Sequence, residues 1–221
     1  LIVEEQPLFP EHRGQPHTIL SPDAHDGASV ILYPDFVDSA QGAQWFDALS
    51  QELDWAQRSI TLFGKRHLQP RLVAWHGDPG VRYRYSGQTL TAAGWTHTLE
   101  AIRLRCESLL GARFNSVLCN LYRDGDDAMG WHADNESELG DNPVIASVSL
   151  GCLRRFDLRH RDSGETQRVP LPTGSLLVMA GTTQKHWVHQ IPRSKKIDAP
   201  RINLTFRYIA QLTADASHHQ R

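Results

Sequence analysis

The chain has 221 residues, 40% of them hydrophobic, and a formal net charge of -2. That length and apolar content suit one compact domain, and the near-neutral balance excludes a molecule that draws polyanions by bulk charge. The opening LIVEEQPLFPEH turns acidic within four residues, and no apolar run approaches the roughly 18 residues of a membrane helix. Neither a membrane span nor a signal peptide is expected, which places the protein inside the cell, in cytoplasm, nucleoid or nucleus.

Residues 1–29 form an irregular N-terminal arm in this reading, because the stretch from 10 to 29 is rich in Pro, His, Gly and Asp without periodicity. Order is expected from Val30. SVILYPDF reads as a short strand closed by Pro34, and Asp38 can cap a helix that sets Trp45, Leu49 and Leu53 on one face. Trp95, Leu99, Ile102, Cys106 and Leu109 recur at helical spacing in a second helix, which Gly111 ends. Strands follow at 114–123, 144–151, 153–159, 175–180 and 201–209, with turns at RDGDD, DSGE and PTG. Residues 211–221 read as a tail. Two helices followed by many strands predict an α+β domain with helices against a sandwich or barrel. Cys106, Cys119 and Cys152 are odd in number and lack metal-like spacing, which fits small core residues in a reducing compartment.

The last strand, RINLTFRYI, carries more than a core pattern. With period two, Ile202, Leu204, Phe206 and Tyr208 share one face and Arg201, Asn203, Thr205 and Arg207 the other. Two arginines on a solvent face are ordinary surface charges. On an enclosed face they can grip the two ends of a small dicarboxylate through planar, charge-assisted contacts. In the earlier strand FNSVLCNLY, Asn120 and Tyr122 also share a face and can serve the same ligand.

The stretch GWHADNE, residues 130–136, adds a metal pattern. In extended backbone His132 and Asp134 point to one side, and KHWVHQIP offers His186 and His189 as a third ligand. Two histidines and one carboxylate leave positions open on an octahedral ion, the arrangement of non-haem Fe(II) oxygenases.

Taken together, FNSVLCNLYRDGDDAMGWHADNE, PVIASVSLG, RRFDLRHR, LPTGSLLVMAG, HWVHQIP and APRINLTFRYI, with FGKRH and PRLVAWHGDPGVRYRYSG upstream, resemble the AlkB-type Fe(II)- and 2-oxoglutarate-dependent dioxygenases, in their nucleic-acid demethylase branch. The resemblance covers residues 30–210. It implies a double-stranded β-helix, or jelly-roll, core with supporting N-terminal helices and a nucleotide-recognition lid over residues 55–92. It also implies metal ligation by His132, Asp134 and His189, with His186 as the competing histidine. The 2-oxoglutarate site falls on Asn120, Tyr122, Arg201, Asn203 and Arg207, with Arg201 and Tyr122 at the distal carboxylate and Arg207 at the one nearest the metal. Fe(II), 2-oxoglutarate and O2 are the implied cofactor and cosubstrates, and no separate acid/base pair is needed.

The implied reaction is demethylation of N-alkylated bases such as 1-methyladenine and 3-methylcytosine in DNA by a monomer, with RNA left open as an alternative polymer. Succinate and formaldehyde are the by-products. Tyr83 and Tyr85 fall where the family's aromatic residues line the base pocket, Glu136 matches an acidic position there, and a cationic base suits both. Phe63 resembles a hairpin wedge that fills the gap left by a flipped base. Lys65, Arg66, His67 and Arg71 beside it, with Arg193, Lys195 and Lys196, can neutralise phosphates. Arg154, Arg155, Arg159, His160, Arg161 and Arg168 form another basic group around a strand and its turn, partly balanced by the acidic NESELGDN loop. Two rivals stand: a dioxygenase acting on a protein or small molecule, and a metal-stabilised nucleic-acid-binding module. The two arginines of the last strand argue against the second, since a structural metal needs no dicarboxylate clamp.

Overall fold

The computed structural model describes residues 14–62, 65–85 and 88–210, with backbone alone at 60–62, 65–66, 82–85 and 88–90. It opens on β1 (His17–Leu20), which pairs antiparallel with β2 (Ala28–Tyr33). This corrects the irregular arm expected through residue 29. HTIL has no alternation of its own and becomes a strand because β2 presents an edge with free backbone donors and acceptors. α1 (Ser39–Glu52) starts as predicted: the Asp38 carboxylate accepts the Gln41 N–H at 2.8 Å, and Trp45 and Leu49 are buried.

β3 (Ser59–Leu62) and β4 (Lys65–Leu68) pair with each other alone, as do β6 (Arg82–Tyr85) and β7 (Gln88–Thr91); between these hairpins β5 (Leu72–Gly77) joins the main sheet. α2 (His97–Leu110) begins where the Thr96 hydroxyl accepts the Leu99 N–H, and ends at Gly111, whose φ of 61° is left-handed. The strands after it are β8 (Ser116–Tyr122), β9 (Met129–His132), β10 (Ile145–Gly151), β11 (Arg154–His160), β12 (Thr166–Leu171) and β13 (Ser175–Gly181). A single turn, α3 (Thr183–His186), leads into β14 (Trp187–Ile191), and β15 (Arg201–Arg207) closes the core. β5, β9, β12 and β14 go beyond the strands read from sequence. Segments such as MGWH and TQRVPL alternate poorly, and pairing with neighbours supplies what their pattern lacks.

Two antiparallel sheets result, one of seven strands in the order β1-β2-β13-β10-β15-β8-β5 and one of four in the order β12-β11-β14-β9. On one side of the larger sheet, Trp45, Leu49, Leu99 and Ile102 from the helices pack with Val148, Leu204 and Phe206. On the other side it meets the smaller sheet, where Leu177 and Met179 pack with Phe156, Leu158 and Ile191. This is the jelly-roll arrangement with helices on one flank. No helix among the described residues is long and apolar enough to cross a membrane.

β15 lies near the middle of the larger sheet, and all seven of its residues are buried. Ile202, Leu204 and Phe206 belong to the core under the helices. Tyr208, expected to extend that apolar row, lies past the end of the strand and is 54% exposed. The polar row Arg201, Asn203, Thr205 and Arg207 is therefore turned toward the interior between the sheets. Burying such a row is unfavourable unless partners meet it, and those partners define the site.

Candidate active site

The register between β15 and β8 sets Arg201 opposite Tyr122 and Asn203 opposite Asn120, so the four side chains read separately from the sequence meet on one surface. Asn203 Nδ2 donates to Ser147 Oγ at 2.8 Å and Thr205 Oγ1 donates to Asn203 Oδ1 at 3.1 Å, fixing the middle of the row. Arg201 donates from Nη2 to Ser149 Oγ at 2.8 Å, while its buried Nε and Nη1 have no hydrogen-bond partner among the described residues. A fully buried guanidinium with spare donors, beside a cavity lined by Asn120, Tyr122, Asn203 and Arg207, is built for an anion. Ser147 and Ser149 were not singled out from the sequence. Their alternation in IASVSLG is the signal that could have found them.

Toward the other end of the row, Arg207 Nη2 lies 2.8 Å from Asp134 Oδ1, both groups buried. Asp134 is one of three residues, with His132 and His189, whose ligand atoms lie within 4.8 Å of one another. Cross-strand pairing sets His189 of β14 directly opposite His132 of β9, with ring centres 4.2 Å apart. His132 Nδ1 is 2.8 Å from the Gly130 carbonyl, which can only accept, so Nδ1 carries the proton and Nε2 keeps its lone pair. His189 is packed against Phe156 at 5.2 Å between ring centres. Two imidazoles and a carboxylate so arranged suit a first-row divalent metal, and the donor set leaves coordination positions for other ligands.

The charges agree with that arrangement. Burial would raise the Asp134 carboxyl, but Arg207, then His189 and His132, overturn that and hold it below its ordinary value, so it is ionised. Burial lowers His132, and burial followed by the neighbouring His132 pushes His189 down from 6.5 to about 3. His189 thus stays neutral, as a ligand must. The unfolded chain takes up this proton as pH falls below 6.5, whereas the folded chain does so only near 3. The metal-free protein should lose stability through that window, with the depressed Asp134 adding a further loss at its acid end. Melting temperature should therefore drop between about pH 7 and about pH 4, and His189→Asn should flatten the profile. A profile equally steep in His189→Asn would contradict the assignment.

His186, the competing histidine, ends the single turn α3 and stacks on His160 at 6.1 Å instead of joining His132. It belongs to a second trio with His160 and Asp162. There the Ser163 N–H donates to His160 Nδ1 at 3.1 Å, which puts the ring proton on Nε2 and spoils the set for a metal. Arg71 is corrected: it is 4% exposed, not phosphate-facing, and its Nε donates to Asn120 Oδ1 at 2.7 Å. Of the basic group around β11, Arg154 is buried whereas Arg155 and Arg159 are exposed. Glu136 is half-buried two residues past Asp134 and outside the cavity lining. Phe63 lies outside the described residues, and so do the side chains of Lys65, Arg66, Tyr83 and Tyr85.

Gln184 was missed because nothing local marks it. Its Oε1 accepts the Asp134 N–H at 2.9 Å and its Nε2 faces Met179 Sδ at 3.5 Å, so a residue 50 positions away holds the carboxylate's backbone. Gln184→Leu keeps the volume and removes the acceptor. Metal affinity should fall by about 10- to 100-fold, the range for losing a group that orients a ligand. Titration with Mn(II) checks this, and an unchanged affinity would remove Gln184 from the site.

A jelly-roll whose interior joins two histidines and an aspartate to a row of buried arginines defines an oxygenase-type metal site with room for an anionic partner. The family model of the 2OG-Fe(II) oxygenase superfamily matches residues 29–207, and the chain belongs to that superfamily, with Fe(II) and 2-oxoglutarate as the cofactor and cosubstrate that this membership implies. Among relatives, the human alpha-ketoglutarate-dependent dioxygenase alkB homolog 3 is 38% identical over 190 residues, covering 81% of this chain and 66% of that protein. The mouse DNA oxidative demethylase ALKBH2 is 43% identical over 181 residues, covering 77% of this chain and 76% of that protein. The solved structure of OsALKBH1 has the same fold at a TM-score of 0.61 and 15% identity, over 81% of this chain and 96% of that one.

Proposed function

We propose that this chain oxidatively demethylates N-alkylated bases of the 1-methyladenine and 3-methylcytosine type in DNA. The observation that carries the reading is one buried surface with a His–Asp–His trio at one end and Arg201, holding spare donors, at the other. The substrate class rests on similarity to ALKBH2 of mouse and human, both described as DNA oxidative demethylases and both 43% identical over 181 residues.

In this reading His132, Asp134 and His189 hold Fe(II). Arg201 and Tyr122 bind the distal carboxylate of 2-oxoglutarate, while Asn120 and Asn203 line its path and Arg207 meets the carboxylate nearest the metal. When bound, iron and 2-oxoglutarate supply, with O2, the oxidation that releases the N-methyl carbon as formaldehyde and leaves succinate and CO2. The chain's own part is placement. Arg207 keeps Asp134 ionised, the Gly130 carbonyl orients His132, and the two sheets exclude water from the cosubstrate. In the same reading residues 55–92 supply the nucleotide lid, Tyr83, Tyr85 and Glu136 belong to the base pocket, and Phe63 is the wedge.

The test is repair of 1-methyladenine and 3-methylcytosine in matched single- and double-stranded oligonucleotides with Fe(II), 2-oxoglutarate and ascorbate. One formaldehyde and one succinate should form per base restored. Consumption of 2-oxoglutarate without repair of any methylated oligonucleotide would favour a protein or small-molecule substrate. Oligonucleotide binding without any consumption would leave only a binding module.

A further inference from the structure

Tyr122 is almost fully buried, and two guanidinium carbons lie over its ring, that of Arg201 at 5.3 Å from the centre and that of Arg154 at 5.4 Å. Both distances are within the roughly 6 Å reach of a cation–π contact. Arg201 is accounted for by the cosubstrate. Arg154 does not line the cavity, yet it is only 1% exposed and forms no ion pair among the described residues.

Its donors go to backbone carbonyls. Nη1 donates to Asp124 O at 2.9 Å, and Nη2 donates to Asp127 O at 2.9 Å and to Pro192 O at 2.8 Å. One planar fork from β11 thereby joins the turn that follows Tyr122 to the segment that follows β14. The same turn is pinned from other directions. The Arg123 guanidinium grips Asp127, the Gly125 N–H donates to Ile197 O at 2.9 Å, and the Ser194 N–H donates to Gly125 O at 2.8 Å. A Cβ at Gly125 would strike the Ser194 carbonyl oxygen.

We propose that Arg154 is a positioning residue for the cosubstrate: it holds the Tyr122 ring and the turn behind it, and so sets how tightly the distal carboxylate of a five-carbon 2-oxo dicarboxylate is gripped. This rests on the cosubstrate reading above. Two physical terms act together. The fork fixes the wall against which Arg201 and Tyr122 close, and a second buried cation keeps that end of the cavity attractive to an anion. Without an anion, Arg154 and Arg201 oppose each other inside the protein; burial, chiefly, lowers both guanidiniums, Arg201 to about 10. A dicarboxylate relieves that opposition, so binding and the placement of Tyr122 favour each other. Lysine can keep the charge but cannot span three carbonyls with a planar fork.

The experiment compares R154K and R154Q with the parent protein, all loaded with Mn(II), by equilibrium binding of 2-oxoglutarate, separate titration of Mn(II), and melting temperature. The dissociation constant for 2-oxoglutarate should rise by about tenfold or more in R154K and further in R154Q, with that for Mn(II) unchanged. Combined with Y122F, R154K should cost less than the product of the two single effects, because one acts through the other. Variants that melt earlier but bind 2-oxoglutarate as the parent does, or effects that multiply in the double variant, would overturn the proposal. Failure of both variants to fold would do the same, by assigning Arg154 to architecture alone. A parent protein that binds Mn(II) but not 2-oxoglutarate would overturn the cosubstrate reading itself, an outcome distinct from all of these.

Discussion

His132→Ala, Asp134→Ala and His189→Ala should each abolish turnover and weaken metal binding more than about 100-fold, whereas His186→Ala should retain most of both. Removing a group that only orients a ligand costs about 10- to 100-fold in metal affinity, so loss of a ligand itself lies beyond that range. The contrast between the two histidines comes from pairing. His189 sits opposite His132 across β14 and β9, while His186 is carried away on α3 to stack with His160. Asp134→Ala has a second consequence, since it breaks the buried ion pair with Arg207. Stability should fall by about 3–5 kcal/mol in that variant, and less in His132→Ala, whose ring is partly exposed. Metal titration with thermal melting checks both. Full activity in His189→Ala would transfer the third ligand to another residue.

Arg201→Ala and Arg207→Ala should both raise the 2-oxoglutarate requirement strongly, but only the second should also disturb the metal. Arg201 is held by Ser149 and Tyr122 and touches no member of the trio, so its loss removes a carboxylate partner and leaves metal affinity near that of the parent. Arg207 is bonded to Asp134, and its removal takes away the largest charge holding that buried carboxylate ionised, at about 3–5 kcal/mol in the metal-free protein. Cosubstrate titrations at saturating metal, followed by metal titrations without cosubstrate, separate the two effects. Unchanged cosubstrate curves in both variants would remove the clamp, and unchanged metal affinity in Arg207→Ala would show that the ion pair does not support the ligand.

Much of this site could be read before the fold was known, because its parts are local. His132 and Asp134 are two residues apart, Arg201 and Arg207 stand on one face of one strand, and Asn120 and Tyr122 share a face of another; period-two geometry fixes such relations within a few residues. Helix boundaries were local too, set by Asp38 and by Gly111. What the sequence left open was which histidine completes the trio and whether the arginine face is wet or dry. Both depend on contacts between segments far apart in the chain. β14 reaches β9 across more than fifty residues, and β15 is enclosed because β10 and β8 flank it while the smaller sheet covers its polar face.

The residues that sequence reading missed or misplaced share one property. Gln184, Arg71 and Arg154 are polar side chains in unremarkable surroundings, and each acquires its role from a partner that only folding supplies: the Asp134 amide, the Asn120 carboxamide, and three backbone carbonyls. A buried polar group must find partners or forfeit its hydration, and no pattern of spacing says which partners will be within reach. The sequence by itself determined the reacting groups and the faces that carry them. The tertiary structure decided which groups are dry, which of two histidines meets the aspartate, and which distant side chains hold them still, because desolvation and long-range pairing exist only once the sheets have closed.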